Sequence, residues 1–162
     1  MSAKPKTAVS SSFISPDALL AHWQGHRGLT RRVIEAFPAD QLYTFSLGGM
    51  RTFGEMANEL LAMAAPMMQG LVTGDWEAYA PESVESKDEL LRLWDESTQE
   101  IDEFWKQLPD DAYGKTVTSF GQFTGPVHWQ VLYLIDNEVH HRGQGYVYLR
   151  SLGVAPPAFY ER

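Results

Sequence analysis

The sequence predicts an all-α fold, a four-helix bundle, on three observations. Apolar residues recur at spacings of three and four in four long segments, which is the period of a helix buried on one face. Only one short stretch, residues 113–125, has strand-like character. The chain has 162 residues, 44% of them hydrophobic, which is enough to bury one sizeable core. We therefore expect one helical domain over residues 15–162, preceded by a flexible polar tail at residues 1–14.

The first predicted helix runs from about residue 16 to residue 37. Ser15-Pro16-Asp17 has the pattern of an N-cap, a proline in the first turn and an early acid. Pro38 stops the helix. His22 and His26 are four residues apart, a spacing that can chelate a metal. Histidines on an exposed helix flank are common, and we favour that interpretation here.

The second predicted helix opens at residues 51–55. Its apolar residues step by three and four along a narrow seam: Phe53, Met56, Leu60, Met63 and Met67. Glu59 sits beside this seam, so its carboxylate lies either at the seam's edge or inside the bundle. Pro66 should kink the helix near its end because it removes one backbone donor. Residues 70–84 are predicted to form a long loop.

The third predicted helix begins near Ser86 or Lys87 and ends before Pro109, and its many acids indicate a solvated face. Residues 113–125 are predicted to form an extended excursion or small hairpin without identifiable chemistry. The fourth helix should run from Pro126 to about Leu152, where the following glycine stops it.

Charge and composition exclude several classes of protein. The net charge of −8 opposes a phosphate backbone, so no nucleic-acid partner is expected. The chain has no cysteine and therefore neither a disulfide framework nor a thiol nucleophile. No segment is apolar for long enough to span a bilayer, and the first 12 residues lack the apolar core of a signal peptide. We expect a cytoplasmic protein with no membrane partner.

The chemistry-bearing residues concentrate in the fourth helix, around residues 136–144. Four polar or aromatic side chains fall within an arc of about 60° beside an apolar arc: Asn137, His141, Gln144 and Tyr148. Burying such a group is costly unless its members bond one another, an ion or a ligand. The group is thus a functional site or a satisfied network that fixes helix packing. A di-iron site is excluded because the chain has a single Glu-x-x-His motif, Glu138–His141.

Two runs closely resemble the DinB-like (DinB/YfiT) family. Glu138 to Gln144, E-V-H-H-R-G-Q, resembles the end of that family, and Gly49 to Glu55 resembles the start of its second helix. A third run that resembles the family, Gly74-Asp75-Trp76, lies between these two, after the predicted second helix. The resemblance covers roughly residues 17–160. It implies a four-helix bundle, often dimeric, that holds one divalent metal. The family's ligands are a histidine from helix two and two residues of helix four, four apart and usually both histidine.

Carried over to this chain, the family's metal positions fall on Glu59, Asn137 and His141. Only His141 matches the usual residue type. A carboxylate, an amide oxygen and an imidazole suit an ion such as Mn²⁺, Mg²⁺ or Zn²⁺, although a neutral amide is a weak ligand. The competing interpretation is a buried ion pair between Glu59 and His141 that joins the helices without a metal.

Two functions are therefore open. The first is a metal-dependent hydrolase or thiol-S-transferase, whose nickel, zinc or manganese ion activates water, a carbonyl or a low-molecular-weight thiol. In this enzyme Gln144 and Tyr148 would position a small-molecule substrate, and no catalytic residue is assigned. The second is a non-catalytic homodimeric bundle with a degenerate metal site. Its methionine-rich second helix would help to bind a small apolar ligand or a protein partner.

Two neighbours of these positions have expected structural roles. Glu138 is expected to be an exposed charge on the helix flank, with support of a metal ligand as the alternative. Arg142 is expected to pair with Glu138 or Asp136, with an acidic substrate as the alternative. The family name records a context of damage-inducible expression rather than a reaction, so no role in DNA repair follows from it.

Overall fold

The computed structural model describes residues 13–76 and 83–162. The bundle consists of α1 (Pro16–Ala36), α2 (Phe53–Thr73), α3 (Lys87–Trp105) and α4 (Val127–Ser151). A short 3-10 helix (Asp110–Gly114) and an antiparallel hairpin of β1 (Thr116–Ser119) and β2 (Phe123–Pro126) lie between α3 and α4. The predicted all-α four-helix bundle is confirmed, including its small extended excursion. Most of the predicted tail, residues 1–12, and residues 77–82 of the predicted loop lie outside the described residues.

Local capping sets the starts of the first three helices. The Ser15 hydroxyl accepts a hydrogen bond from the backbone N–H of Ala18 at the start of α1. At the start of α2, Thr52 and Glu55 form a reciprocal capping box. Ser86 caps α3 in the same way as Ser15 caps α1. These side chains satisfy N–H groups that have no partner within the helix, and the predicted starts lie within one or two residues of the observed ones.

Helix α2 is longer than predicted. Residues 70–73, expected to begin a loop, form its last turn, and Gly74 ends the helix in the left-handed conformation with φ 74°. Trp76 folds back over Gly70, where a Cβ atom would lie 2.2 Å from the indole ring. Pro66 lies inside the helix without ending it. A tertiary contact therefore extends the helix past residues that are weak helix formers in isolation.

The core has two apolar clusters with a polar layer between them. Helix α2 packs on α3 and α4, and α1 also packs on both. One cluster includes Trp23, Met68 and Ile101, and the other includes Phe53 and Trp94. Along α1, α3 and α4, buried polar side chains fall between the residues of the two clusters: His26, Arg27, Thr30, Ser97, Glu138, His141 and Arg142. Among the described residues, no helix is long and apolar enough to cross a membrane.

Candidate functional site

Helices α2 and α4 bring together the three side chains that the resemblance assigned to a metal. Glu59 lies on α2, and Asn137 and His141 lie one turn apart on α4. Glu59 Oε1 is 3.2 Å from His141 Nε2 and 3.3 Å from Asn137 Nδ2. The three positions therefore meet, and the side chains of Asn137 and His141 both contact the same carboxylate oxygen of Glu59.

A fourth side chain, Arg51, completes this group, which we call the α2–α4 cluster: Arg51, Glu59, Asn137 and His141. Arg51 Nη1 is 2.5 Å from Glu59 Oε2, so both carboxylate oxygens have donor partners. This contact was not predicted from the sequence, although Arg51 lies within the run that carries the family resemblance. Because Arg51 precedes the first residue of α2, helical spacing does not connect it with Glu59.

Tyr148 supports the cluster from within the core. Its hydroxyl donates to the backbone carbonyl of Arg51 at 2.9 Å, and its side chain is fully buried. Tyr148 therefore fixes the segment from which the guanidinium extends. A role for Tyr148 in positioning a substrate stays a prediction.

Gln144 orients His141. Gln144 Oε1 is 3.4 Å from His141 Nδ1, and Gln144 Nε2 is 3.0 Å from His140 Nε2. With Glu59 Oε1 beside Nε2, each ring nitrogen of His141 faces a side-chain oxygen, so both neighbours hold the ring in one orientation. A role for Gln144 in substrate binding stays a prediction.

Glu59 is the only anion of the α2–α4 cluster. Partial burial disfavours its charged form, but hydrogen bonds from Arg51, Asn137 and His141 outweigh this effect and lower its pKa below the ordinary value. Its side chain is 31% exposed, whereas that of His141 is 8% exposed. The carboxylate is therefore charged at neutral pH, and solvent reaches it from one side.

This donor set fits a resident divalent metal poorly. It offers two strong ligands, the Glu59 carboxylate and the His141 imidazole, and one weak amide ligand. The Arg51 guanidinium binds the second carboxylate oxygen and places a positive charge where a cation would approach. Within residues 13–76 and 83–162, no group of three His, Cys, Asp or Glu side chains could hold an ion. The chemistry of the group favours internal ion pairing.

A cleft of about 770 Å³ opens beside Glu59 and Arg51. It lies between α2 and the segments at residues 39–44 and 83–85, and Ala62 of α2 forms part of its wall. Its lining has four carboxylates and one guanidinium: Asp40, Glu55, Glu59, Glu85 and Arg51. This acidic cleft disfavours a negatively charged ligand.

A second polar group between α1 and α4 corrects one expectation. Glu138 is buried rather than exposed, with 2% of its surface accessible. Thr30 Oγ1 donates to Glu138 Oε1 at 2.6 Å, and Arg142 Nη1 is 3.7 Å from the same oxygen. The predicted pairing of Arg142 with Glu138 is therefore confirmed. This pair lies within the polar layer of the core and lines neither the acidic cleft nor the α2–α4 cluster.

His26 is also buried, contrary to its expected place on an exposed flank. Its Nδ1 accepts from Arg142 Nη2 at 2.8 Å, and its Nε2 is 3.2 Å from His22 Nε2. Burial, assisted by the charge of Arg142, lowers the pKa of His26 to about 4. Arg162 Nη1 is also 2.9 Å from His26 Nε2. With an arginine beside each ring nitrogen of His26, the pair His22 and His26 is unsuited to chelating a cation.

Comparisons with known proteins agree with this architecture. All of residues 1–162 match the model of the DinB family. A DinB-like protein from Bacillus cereus ATCC 10987 is 18% identical with a TM-score of 0.77, over 92% of this chain and 100% of that one. The DinB-like protein YjoA from Bacillus subtilis is 17% identical with a TM-score of 0.72, over 89% of this chain and 98% of that one.

A more distant likeness is to a solved enzyme. A histidine-to-alanine mutant of the mycothiol-dependent maleylpyruvate isomerase is 18% identical with a TM-score of 0.62, over 86% of this chain and 68% of that one. No curated protein matches the chain. At these identities the structural likenesses establish a shared fold and leave the chemistry to the residues of this chain.

Proposed function

The chain belongs to the DinB family, and on that premise we propose that it is a small-molecule-binding member in which an ion pair takes the place of a metal. One observation carries this proposal: the Arg51 guanidinium, 2.5 Å from Glu59 Oε2, binds the only charged ligand that a metal would have. His141 and Asn137 bind the other carboxylate oxygen. The cluster is satisfied by its own members, and the neighbouring cleft stays available to a ligand.

The proposed role of the ion pair is to join α2 to α4 beside the cleft. Arg51 is half-exposed, and partly exposed ion pairs contribute only about 0–1 kcal/mol each to stability. The main effect of the ion pairs is therefore on the shape and charge of the cleft, because they fix the side chains of Arg51 and Glu59 in its wall.

Metal analysis of the purified protein, produced without a chelating tag, tests the proposal. We expect far less than one ion per chain, with no change in the Glu59→Ala and His141→Ala variants. One ion per chain that is lost in a folded Glu59→Ala variant would overturn the proposal. As a positive control, Glu59→His combined with Asn137→His rebuilds the three-histidine set that the resemblance implied, and this variant should take up about one zinc ion.

The convergence of Glu59, Asn137 and His141 favours a second candidate, a metal-dependent hydrolase or thiol-S-transferase. These three side chains would hold nickel, zinc or manganese, and the ion would activate water or a low-molecular-weight thiol. The shared fold of a mycothiol-dependent isomerase supports the thiol alternative. The metal analysis above separates the candidates, since only the second requires a bound ion.

Under either candidate we propose a cytoplasmic homodimer that acts on, or binds, a small molecule. Light scattering of the purified protein tests the dimer. A mass of about 18.3 kDa, that of one chain, would contradict it.

A further inference from the structure

A separate cavity of about 270 Å³ lies between the hairpin and the helices α2 and α4. Its walls are thioethers and aromatic rings: Met63 and Met67 of α2, Phe120 and Phe123 of the hairpin region, and Trp129 and Tyr133 of α4. Ala62 lines both this aromatic cavity and the acidic cleft beside Glu59. The hairpin, for which the sequence predicted no chemistry, forms one wall of the cavity.

The amide group in the cavity wall, Gln130, is fully used by the hairpin. Its Nε2 donates to the backbone carbonyls of Val117 and Gly125, each at 3.1 Å, and its Oε1 accepts from the Ser119 hydroxyl. The side chain is 2% exposed. Gln130 therefore presents no free hydrogen-bonding group to the cavity. An apolar ligand beside it leaves no polar group without a hydrogen-bond partner.

The wall formed by the hairpin turn is held in place by its backbone and by a ring contact. Phe120 has a φ of 52°, in the left-handed region that residues other than glycine rarely occupy. Its ring packs edge to face against Trp76, with ring centroids 5.2 Å apart. Contacts that maintain such a backbone conformation fix the ring at the cavity wall before any ligand enters.

The aromatic cavity lies one helical turn from the α2–α4 cluster. Met63 follows Glu59 by four residues on α2, and Tyr133 precedes Asn137 by four residues on α4. The two regions touch, since Asn137 Nδ2 is 3.4 Å from Met63 Sδ. A ligand in the cavity thus has apolar surroundings on one side and the charged cluster with its acidic cleft on the other.

We propose that the aromatic cavity binds a small aromatic molecule that carries no negative charge. An apolar cavity of about 150 Å³ is enough for benzene, so the larger volume here suits one ring with a short substituent. A helix, about 10 Å across, is too wide for it. The acidic cleft next to Ala62 opposes an anionic substituent and accepts a neutral or cationic one. This inference rests on the proposed ligand-binding function and specifies the class of ligand.

Calorimetric titration with three matched probes tests the proposal: 2-phenylethanol, 2-phenylethylamine and 3-phenylpropionate, which are neutral, cationic and anionic at pH 7. We expect the first two to bind and the third to bind at least 10-fold more weakly. Absence of binding by all three, or equal binding of the anion, would overturn the inference. Neither outcome affects the ion-pair proposal, which the metal content decides.

A filling variant locates the binding site. Ala62→Leu places extra carbon atoms in the cavity from a partly exposed position on α2, and it should weaken binding of 2-phenylethanol at least 10-fold. Ala21→Leu, at an exposed alanine of α1, is the matched control and should bind like the wild type. Unchanged binding by a folded Ala62→Leu variant would overturn the inference.

Should Ala62→Leu fail to fold, Phe123→Ala provides the same test. Its ring is 55% exposed, so its removal opens the cavity wall without disturbing the core. We expect at least a five-fold loss of affinity for 2-phenylethanol with an unchanged circular dichroism spectrum. Wild-type affinity in this variant would place the ligand elsewhere.

Discussion

Single side chains decide whether the space between α2 and α4 favours a cation. His141 occupies the position that the family motif assigns to a ligand, but its neighbours differ from the family's usual histidines. Arg51 adds a positive charge 2.5 Å from Glu59 Oε2. A guanidinium stays charged at all physiological pH values, so it competes with a metal for the carboxylate under any working condition.

The buried carboxylate of Glu138 gives a stability prediction at the residue scale. Burial raises its pKa, while the charges of Arg27 and Arg142 and a hydrogen bond from Thr30 oppose that effect. In Glu138→Ala both arginines lose their buried counter-charge. We expect a loss of about 3–5 kcal/mol in the free energy of unfolding, measured by urea denaturation.

Asp136→Ala is the control for this prediction. Asp136 is exposed on the same helix, two residues away, and its removal should change the free energy of unfolding by no more than about 0.5 kcal/mol. Equal effects of the two substitutions would show that Glu138 contributes no more than a surface charge.

His26 gives a pH prediction. Burial and the nearby charges of Arg142 and Arg162, together with His22, lower its pKa from an ordinary 6.5 to about 4. The unfolded chain therefore takes up a proton at a higher pH than the folded chain. The contribution of His26 to the free energy of unfolding is fully present above pH 6.5 and is lost as the pH falls towards 4. Between pH 7 and pH 5 the loss should be about 2 kcal/mol.

His26→Gln isolates this contribution because glutamine keeps an acceptor for Arg142 but does not titrate. The raised pKa of Glu138 has the opposite effect on stability, because it favours the folded state as the pH falls. This effect is present in both wild type and variant, so it cancels when the two are compared. Urea denaturation at both pH values should show a smaller loss in His26→Gln. His140 is exposed, so the His140→Gln variant should lose as much stability between pH 7 and pH 5 as the wild type. An equally large loss in His26→Gln would contradict the prediction.

Several residues of the site could be predicted from the sequence. The contacts that could not be predicted have physical reasons. Glu59, Asn137 and His141 came from a motif, and the structure brings them together. Arg51 was missed because it reaches Glu59 from outside the helix. Glu138 was misjudged because its burial depends on Thr30 and Arg142, and hydropathy does not reveal a charge whose partner lies on another helix.

The elements followed from the sequence where local signals control them. Capping by Ser15, Thr52 and Ser86 fixed the starts of three helices. The last turn of α2 was not predictable in this way, because it depends on Trp76 packing over Gly70. The hairpin was anticipated as an extended excursion, but its role in a cavity wall depends on Gln130 of another element.

Two glycines of α4 give a matched prediction at the element scale. A Cβ atom at Gly145 would lie 2.5 Å from the buried ring of Phe53, whereas one at Gly143 would meet nothing within 4 Å. Gly145→Ala should therefore destabilise the protein by about 1–3 kcal/mol, since α4 must move away from α2. Thermal or urea unfolding measures the change.

Gly143→Ala is the control in the same helix. Alanine is a better helix former than glycine, so this variant should be more stable than the wild type by about 0.5–1 kcal/mol. Similar effects in both variants would show that Gly145 is not the point of close approach between α2 and α4.

At the scale of the whole molecule, the fold is shared with proteins of low sequence identity. The two DinB-like structures share only 17–18% of residues with this chain, yet their TM-scores are 0.72–0.77. A bundle tolerates extensive exchange of apolar side chains as long as volume and pattern are preserved. A metal site does not tolerate a comparable exchange of its ligands, because each ligand supplies a donor atom and a charge that suit the metal. Under the ion-pair proposal, Glu59, Asn137 and Arg51 alter the chemistry without altering the bundle.

Thermal unfolding of the untagged protein, in EDTA and in excess zinc, tests the ion-pair interpretation of the α2–α4 cluster most directly. A ligand at 100 times its dissociation constant adds about 2.7 kcal/mol to stability, or roughly 5–10 °C for a chain of this size. We predict the same midpoint in both solutions for the wild type, and an increase with zinc in the Glu59→His, Asn137→His variant. A zinc-dependent increase in the wild type that His141→Ala abolishes would contradict the ion-pair interpretation.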